Sequence, residues 1–433
     1  MKNEYLRRLN ISELKPMQED ALEFIKTGTD TVILAPTGSG KTLAFLLPVA
    51  SFIKKEGSGV QALVLLPTRE LGLQIEKVFR AMQTGHKVNT CYGGHPITTE
   101  INNFSVPPAL LIGTPGRIAD HIRRSSFDPD TIRTLVLDEF DKSLELGFAE
   151  EMKFIIENCR NIRTRVLTSA TNIEELPAFV GIRTPRYINY QQSSDPKLSL
   201  KVLRAEGKDK LQLLFTLLCK IGNESSVVFC NHREAVERIS ELLSEKGISH
   251  GIYHGGQEQE KREQSLIKFR NGSTRILLST DLASRGLDIP GVQNIIHYQL
   301  PGSLSSWIHR NGRTARMTRE GTAWVLLAGE DYLPDFIPEK LEEELLTGTY
   351  EMPEPELFNT LYFSVGKKDK ISKGDIAGFL MQKGMLGKND LGLIEVLDYA
   401  SFAAVKRTVT SQLLKRIKGE QLKKKKVKIE LAR

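Results

Sequence analysis

The sequence predicts an α/β chain: two tandem parallel-sheet domains followed by a small βαββαβ domain. Two observations carry that expectation. Short β-branched apolar runs alternate with helix-like periodic segments, and the runs are apolar at successive positions, as strands buried on both faces must be. Two polar or proline-bearing breaks interrupt the alternation, and 433 residues exceed one ordinary core at roughly 100 to 200 residues per domain.

In the first domain the runs are "TVILA" (31–35), "ALVLL" (62–66), "ALLIG" (109–113), "TLVLD" (134–138) and "RVLTS" (165–169). After the break "NYQQSSDPK" (189–197) the pattern restarts with "SSVVFC", "RILLST", "NIIHYQL" and "TAWVLLA". Two α/β domains joined by a linker is the economical reading. The second break, "LTGTYEMPEPELF" (346–358), has two prolines and is linker-like. Beyond it "NTLYFSV", "LGLIEVLD", "SFAAVK" and "VKIEL" read as strands, and "KGDIAGFLMQKG" and "TVTSQLLKRIKG" as helices ending at glycine. That order fits a ferredoxin-like or RNA-recognition-type (RRM-like) domain. The expected limits are 1–193, 194–345, a linker at 346–356, and 357–433.

Composition narrows the function classes. With 40% hydrophobic and 26% charged residues, the chain reads as a water-soluble globular protein. No N-terminal apolar run suits a signal peptide and no segment is long enough to span a bilayer, so no membrane partner and a cytoplasmic location are expected. Cys91, Cys159, Cys219 and Cys230 form no C-x-x-C pair, which argues for buried thiols rather than zinc or disulfides. Of the net charge of +7, residues 357–433 supply +10, with 17 basic residues against 7 acidic, while the preceding chain is at −3. A compact basic tail suggests a polyanion partner. The run "KKKK" (423–426) also suits a solvated tail, but the strand-like "VKIEL" after it argues for folded structure.

"APTGSGKT" (35–42) follows a strand-like run and opens a helix-like one. Phosphate cradling needs this setting: small residues let backbone N–H groups curve round the phosphates and the helix N-terminus adds its positive end. Ala35, Pro36, Thr37, Gly38, Ser39 and Gly40 form the loop, with Ala35 where the general pattern has its first glycine. Lys41 is expected to meet the β/γ oxygens and Thr42 to reach Mg2+. In "TLVLDEFD", Asp138 ends an apolar run at the carboxyl edge of the same sheet, where it can hold Mg2+ beside Thr42, while Glu139 orients or deprotonates the attacking water.

These motifs, with "PTREL" (67–71), Gly93 and Gly94, "TPGR" (114–117), "SAT" (169–171), "STDLASRGLDIP" (279–290) and "HRNGRTAR" (309–316), resemble the DEAD-box RNA helicases of superfamily two over nearly the whole chain. The resemblance implies two RecA-like domains and ATP as cofactor with Mg2+. By the same resemblance Gln18 reads adenine, Asp288 contacts ribose, and Arg313 and Arg316 reach the γ-phosphate, Arg316 as the finger. Thr68, Arg69, Gly94, Thr114, Arg117 and Thr280 match positions that contact the RNA backbone, contacts that position a strand without reading it. Asp141 is expected to bond toward "SAT" and "HRNGRTAR", while Phe140 stands where the family has alanine and bears on packing behind the site.

The segment 357–433 resembles the RNA-binding domain of the DbpA subfamily, which implies docking on structured large-subunit ribosomal RNA. Lys367, Lys368, Lys370, Arg407 and the lysine run are the expected RNA contacts. Stacking on the sheet is not expected, because Ala404 and Val405 stand where a second ring would be. The resulting expectation is a monomeric, RNA-stimulated ATP hydrolase that unwinds RNA duplexes during ribosome assembly, with an ATP-gated RNA clamp as the alternative.

Overall fold

The computed structural model describes the chain except residues 1, 37, 56, 58, 95, 174, 192–197, 282–291, 315–319, 330, 339–340 and 433. Two compact units result, one from the described residues of 1–196 and 303–316, the other from those of 197–283, 289–302 and 317–433.

The first unit holds a seven-stranded sheet: β1 (Thr31–Leu34), β2 (Ala62–Leu65), β3 (Val88–Cys91), β4 (Leu110–Gly113), β5 (Thr134–Leu137), β6 (Thr164–Ser169) and β7 (Arg186–Asn189). The spatial order is β3-β4-β2-β5-β6-β1-β7 and every pairing is parallel. All strand C-termini therefore leave at one edge, and the loops bearing the sequence motifs gather there. The core lies on both faces. Ile33, Val64 and Val136 pack with Phe45 and Ile75 on one face, and Val32, Leu63 and Leu135 pack with Phe140 and Ile155 on the other. Each such buried side chain contributes about 1.5–3 kcal/mol, which makes the sheet a rigid support for its loops.

The second unit contains β8 (Leu198–Ala205), β9 (Ser226–Phe229), β10 (Gly251–Tyr253), β11 (Ile276–Ser279), β12 (Asn294–His297), β13 (Gly321–Ala328) and β14 (Glu342–Glu343). These form another all-parallel sheet in the order β10-β11-β9-β12-β13-β8-β14. Strands β3, β7, β8, β10 and β14 are absent from the sequence expectation. Four of them are sheet edges, where a strand has one neighbour and needs no continuous apolar run; β7 buries only Ile188.

The same unit carries an antiparallel sheet of β15 (Phe358–Phe363), β16 (Leu391–Val396), β17 (Ser401–Lys406) and β20 (Ile429–Leu431), ordered β16-β17-β15-β20. Helices Lys373–Gln382 and Arg407–Arg416 complete the expected βαββαβ order. The lysine run is not a solvated tail. It folds into a hairpin, β18 (Gln421–Leu422) and β19 (Lys425–Lys426), whose turn residues Lys423 and Lys424 take φ of 49° and 64°.

One face of this sheet, with Leu361, Phe363, Ile394, Ala403 and Val405, packs into the small domain's own core. The opposite face presents Thr360, Tyr362, Glu395 and Phe402, and it docks on the stretch before β11. Asn271 Nδ2 donates to Thr360 Oγ1 at 2.8 Å, Ser273 bonds the same hydroxyl, and Arg270 pairs with Glu395 at 3.3 Å.

Candidate functional site

Strand β1 delivers the chain to the phosphate loop, and helix Lys41–Phe52 leaves it. Gly38 and Gly40 have φ of 81° and 103°, a region that side chains rarely adopt. At Gly40 a Cβ would also lie 2.5 Å from Gln18 Nε2. That amide donates to Gly40 O at 3.1 Å while Gln18 Oε1 accepts from Lys15 N at 3.0 Å. The buried Gln18 thus clamps the loop from helix Pro16–Lys26. Ala35 is fully buried and its N–H donates to Ser169 O, so this small residue fits between β1 and β6. Pro36, Ser39 and Thr42 are partly buried, and Gly38 is exposed.

Lys41 lies inside the sheet edge, its Nζ donating to Ala35 O at 2.5 Å and Ser169 O at 3.4 Å. Burial pulls its ammonium below the usual lysine range, Glu139, Asp141 and Asp138 pull it back up, and Arg313 opposes them. Arg313 is buried and close enough to Lys41 for its charge to be felt there. Two buried cations side by side repel each other, and a bound triphosphate would be attracted by both.

Asp138 and Glu139 follow β5. Asp138 N donates to Leu65 O at 2.8 Å and Glu139 N to Thr168 Oγ1 at 3.2 Å. Held by these bonds, Glu139 adopts φ 45°, ψ 53°, a left-handed conformation that costs a non-glycine residue about 1–2 kcal/mol. It turns the chain sharply into helix Phe140–Glu145. Its Oε2 is buried without a hydrogen-bond partner. Burial pushes the Asp138 carboxyl up to about 6, Glu139 adds to the rise, and the Thr168 hydroxyl and Lys41 offset part of it. Two adjacent buried carboxyls, one orphaned and one raised, form an oxygen donor set suited to a hard divalent cation and an ordered water, with the Thr42 hydroxyl at the start of the neighbouring helix.

Asp141 Oδ2 accepts from Thr171 Oγ1 at 2.8 Å and lies 3.8 Å from His309 Nε2. Burial raises its carboxyl, but His309 and Thr171 outweigh that and hold it well below the usual range. Phe140 is fully buried among the core residues of one sheet face and carries no polar contact to the site. Thr37, Asp288 and Arg316 lie outside the described residues. Thr168 was not among the sequence candidates. It follows Leu167, which is in register with Leu137, so its proximity to Asp138 emerges only once β5 and β6 are known to pair.

The other candidates on the first unit occupy the same edge, after β2, β3 and β4. Thr68 caps helix Arg69–Ala81, and Arg69 lies over the Tyr92 ring at 4.5 Å. Gly94 has φ of 98°, Thr114 N donates to Cys91 O, and Arg117 Nε donates to Glu100 Oε2 at 2.8 Å. Thr280, on the second unit, sits at the C-terminal end of β11 and donates from its N–H to Tyr253 O.

In the small domain Lys367, Lys368 and Lys370 are exposed on one loop. The lysine hairpin lies against that loop, with Lys423 Nζ donating to Lys370 O and pairing with Asp375, and Lys425 pairing with Asp369. Lys424 and Lys426 remain exposed beside them. Arg407 is not part of this cluster. Phe358 pairs with Lys406 and Phe363 with Ser401, so Arg407 leaves the sheet at the end opposite the lysines. Phe402 is buried, with Tyr362 edge-on at 5.6 Å, so the sheet face offers no open ring pair for stacking.

Comparison with known proteins fits this layout. The pattern of the DEAD/DEAH box helicases matches 15–179, that of the helicase conserved C-terminal domain 209–318, and that of the DbpA RNA binding domain 360–431. The chain is 33% identical to the ATP-dependent RNA helicase DbpA of Escherichia coli (strain K12), across 98% of this chain and 96% of that protein. It is 28% identical to the DbpA of Bacillus subtilis (strain 168), across 99% and 96%. Among solved structures, S. cerevisiae Dbp5 bound to RNA and ADP BeF3 is similar with a TM-score of 0.67 and 25% identity, covering 75% of this chain and 86% of that one.

Proposed function

The chain belongs to the DbpA-like DEAD-box helicases, ATP-dependent RNA helicases with two RecA-like domains and an RNA-binding domain, and from this premise we propose that it couples ATP hydrolysis to local unwinding of RNA duplexes on large-subunit ribosomal RNA during ribosome assembly. The observation that carries the reading is the gathering of Lys41, Asp138, the orphaned Glu139 carboxylate and Arg313 at the sheet edge that also holds Arg69 and Arg117.

In this reading the loop 35–42 cradles the phosphates, Lys41 and Arg313 face the transferring group together with Arg316, and Glu139 positions and deprotonates the attacking water. Thr42 and Asp138 would hold Mg2+, which neutralises phosphate charge when bound. Gln18 would read adenine and Asp288 ribose. Thr68, Arg69, Gly94, Thr114, Arg117 and Thr280 would hold the RNA backbone. Lys367, Lys368 and Lys370 with the lysine hairpin would hold structured RNA, and Arg407 would make a separate contact. Domain limits at 1–193, 194–345 and 357–433, a monomeric state and a cytoplasmic location complete the proposal. No helix among the described residues is long and apolar enough to cross a membrane.

The test is ATP hydrolysis with and without a large-subunit ribosomal RNA fragment, alongside strand separation of matched RNA and DNA duplexes. Stimulation by the fragment with separation of RNA alone is expected. Stimulated hydrolysis without strand separation would make the protein an ATP-gated clamp. Equal stimulation by every RNA, before and after removal of 357–433, would remove the ribosomal assignment.

A further inference from the structure

Beneath the loops after β3 and β4 of the first unit lies a buried polar cluster whose central residues, Glu100 and His121, belong to none of the helicase motifs. Glu100, on the short helix Ile97–Asn103, is 3% exposed. Its Oε2 accepts from Arg117 Nε at 2.8 Å and lies 2.6 Å from Nε2 of the fully buried His121. Its Oε1 accepts from Tyr92 N at 3.1 Å. Burial raises this carboxyl, but His121, Arg117 and Tyr92 together bring it below the usual range. It is therefore a carboxylate, and His121 Nε2 must donate to it.

Tyr92 is the residue before Gly93 and Gly94, and its ring carries the Arg69 guanidinium at 4.5 Å. A continuous chain of contacts thus runs Arg69, Tyr92, Glu100, Arg117, joining the loops after β2, β3 and β4. Cys91 belongs to the same cluster, with its ligand atom and those of Glu100 and His121 within 4.8 Å of one another. A metal is a poor occupant: burial raises the Cys91 thiol far above its usual range, and the Glu100 oxygen already serves Arg117 and His121.

We propose that Glu100 and Tyr92 are positioning residues that hold Arg69, the Gly93–Gly94 turn and Arg117 in a fixed arrangement along one RNA backbone. A long arginine on a loop loses rotamer freedom when it binds, and a buried carboxylate that fixes one arginine while anchoring the backbone beneath another removes that loss beforehand. The proposal rests on the reading that Arg69 and Arg117 contact RNA.

The experiment titrates a single-stranded decauridylate RNA against ATP hydrolysis by the full chain and reads the half-saturating RNA concentration and the maximal rate separately. Glu100→Ala raises the half-saturating concentration about tenfold and changes the maximal rate less than about twofold. Glu100→Gln recovers part of the loss, because one amide oxygen can serve Arg117 or Tyr92 N but not both. The pair Glu100→Ala with Arg117→Ala weakens RNA binding by less than the sum of the two single changes, because the Arg117 part of the loss is shared and only the Tyr92–Arg69 part adds. Affinity for a fluorescent ADP without RNA reports folding. If Glu100→Ala fails to fold, Tyr92→Leu, which keeps apolar bulk but removes the ring under Arg69, raises the RNA requirement about threefold. If Arg117→Ala leaves the RNA requirement unchanged, the RNA-contact reading itself fails. If Arg117→Ala weakens RNA but Glu100→Ala and Tyr92→Leu do not, positioning is wrong. Full additivity of the double variant overturns it too.

Discussion

Replacing Asp138 by asparagine should make the nucleotide-free protein more stable at neutral pH while stopping its chemistry. Burial first and Glu139 second raise the Asp138 carboxyl from 3.8 to about 6. A folded-state value above the unfolded one means that the native state holds the extra proton. Asp138 is therefore harmless below about pH 4, weakens the fold increasingly as pH rises from about 4 to 6, and exerts its full penalty above that. A rise of about two units corresponds to about 3 kcal/mol lost by pH 8. Asparagine keeps the shape, and its oxygen can still accept from Thr168 Oγ1, as the carboxylate does now. Thermal unfolding of nucleotide-free wild type and Asp138→Asn at pH 4, 6 and 8 is the assay. For a domain of this size about 3 kcal/mol moves the midpoint by roughly 6–10 °C at pH 8, and the two proteins should coincide at pH 4. ATP hydrolysis by the variant should fall by roughly 100-fold or more if this carboxylate holds the metal. No gain at pH 8, or the same gain at pH 4, would refute the reasoning.

Other outcomes follow from the same geometry. Phe140→Ala should cost about 3–5 kcal/mol of stability in urea unfolding, since Phe140 is fully buried, yet leave hydrolysis at 20 °C within about tenfold, or about 1.4 kcal/mol of barrier. Glu139→Gln should retain nucleotide affinity by fluorescence titration and lose roughly 100-fold or more of single-turnover rate. Lys424→Ala with Lys426→Ala should lower the slope of log affinity for structured RNA against log salt by roughly 1 to 2, measured by filter binding from low to high salt.

The parts of this molecule that were legible in sequence are those whose physics is local. The phosphate loop carries its glycines, lysine and flanking strand and helix within about a dozen residues, and β1, β2, β4 and β5 announce themselves as fully buried runs, with β6 buried except at Arg165. Edge strands did not, because β3 buries only its ends and β10 has a single neighbour. The Asp138–Thr168 bond joins residues 30 apart through strand register, and the Arg69–Tyr92–Glu100–Arg117 chain depends on strand order. Sequence groups Arg407 with the lysines because it gives residue type but not which end of an antiparallel sheet a residue leaves from.

The covered face of the small domain's sheet changes what natural variation there should mean. With Thr360 bonded to Asn271 and Ser273, and Glu395 to Arg270, residues on that face answer to the surface they rest on rather than to a nucleobase. Substitutions at 360 and 395 should be tolerated when 270–273 change to match, so the two segments are expected to drift together. The domain is in this sense not a detachable cassette. A chimaera that imports it from another helicase without the matching 270–273 stretch would inherit an ill-fitting seam, however well the imported lysines suit their RNA.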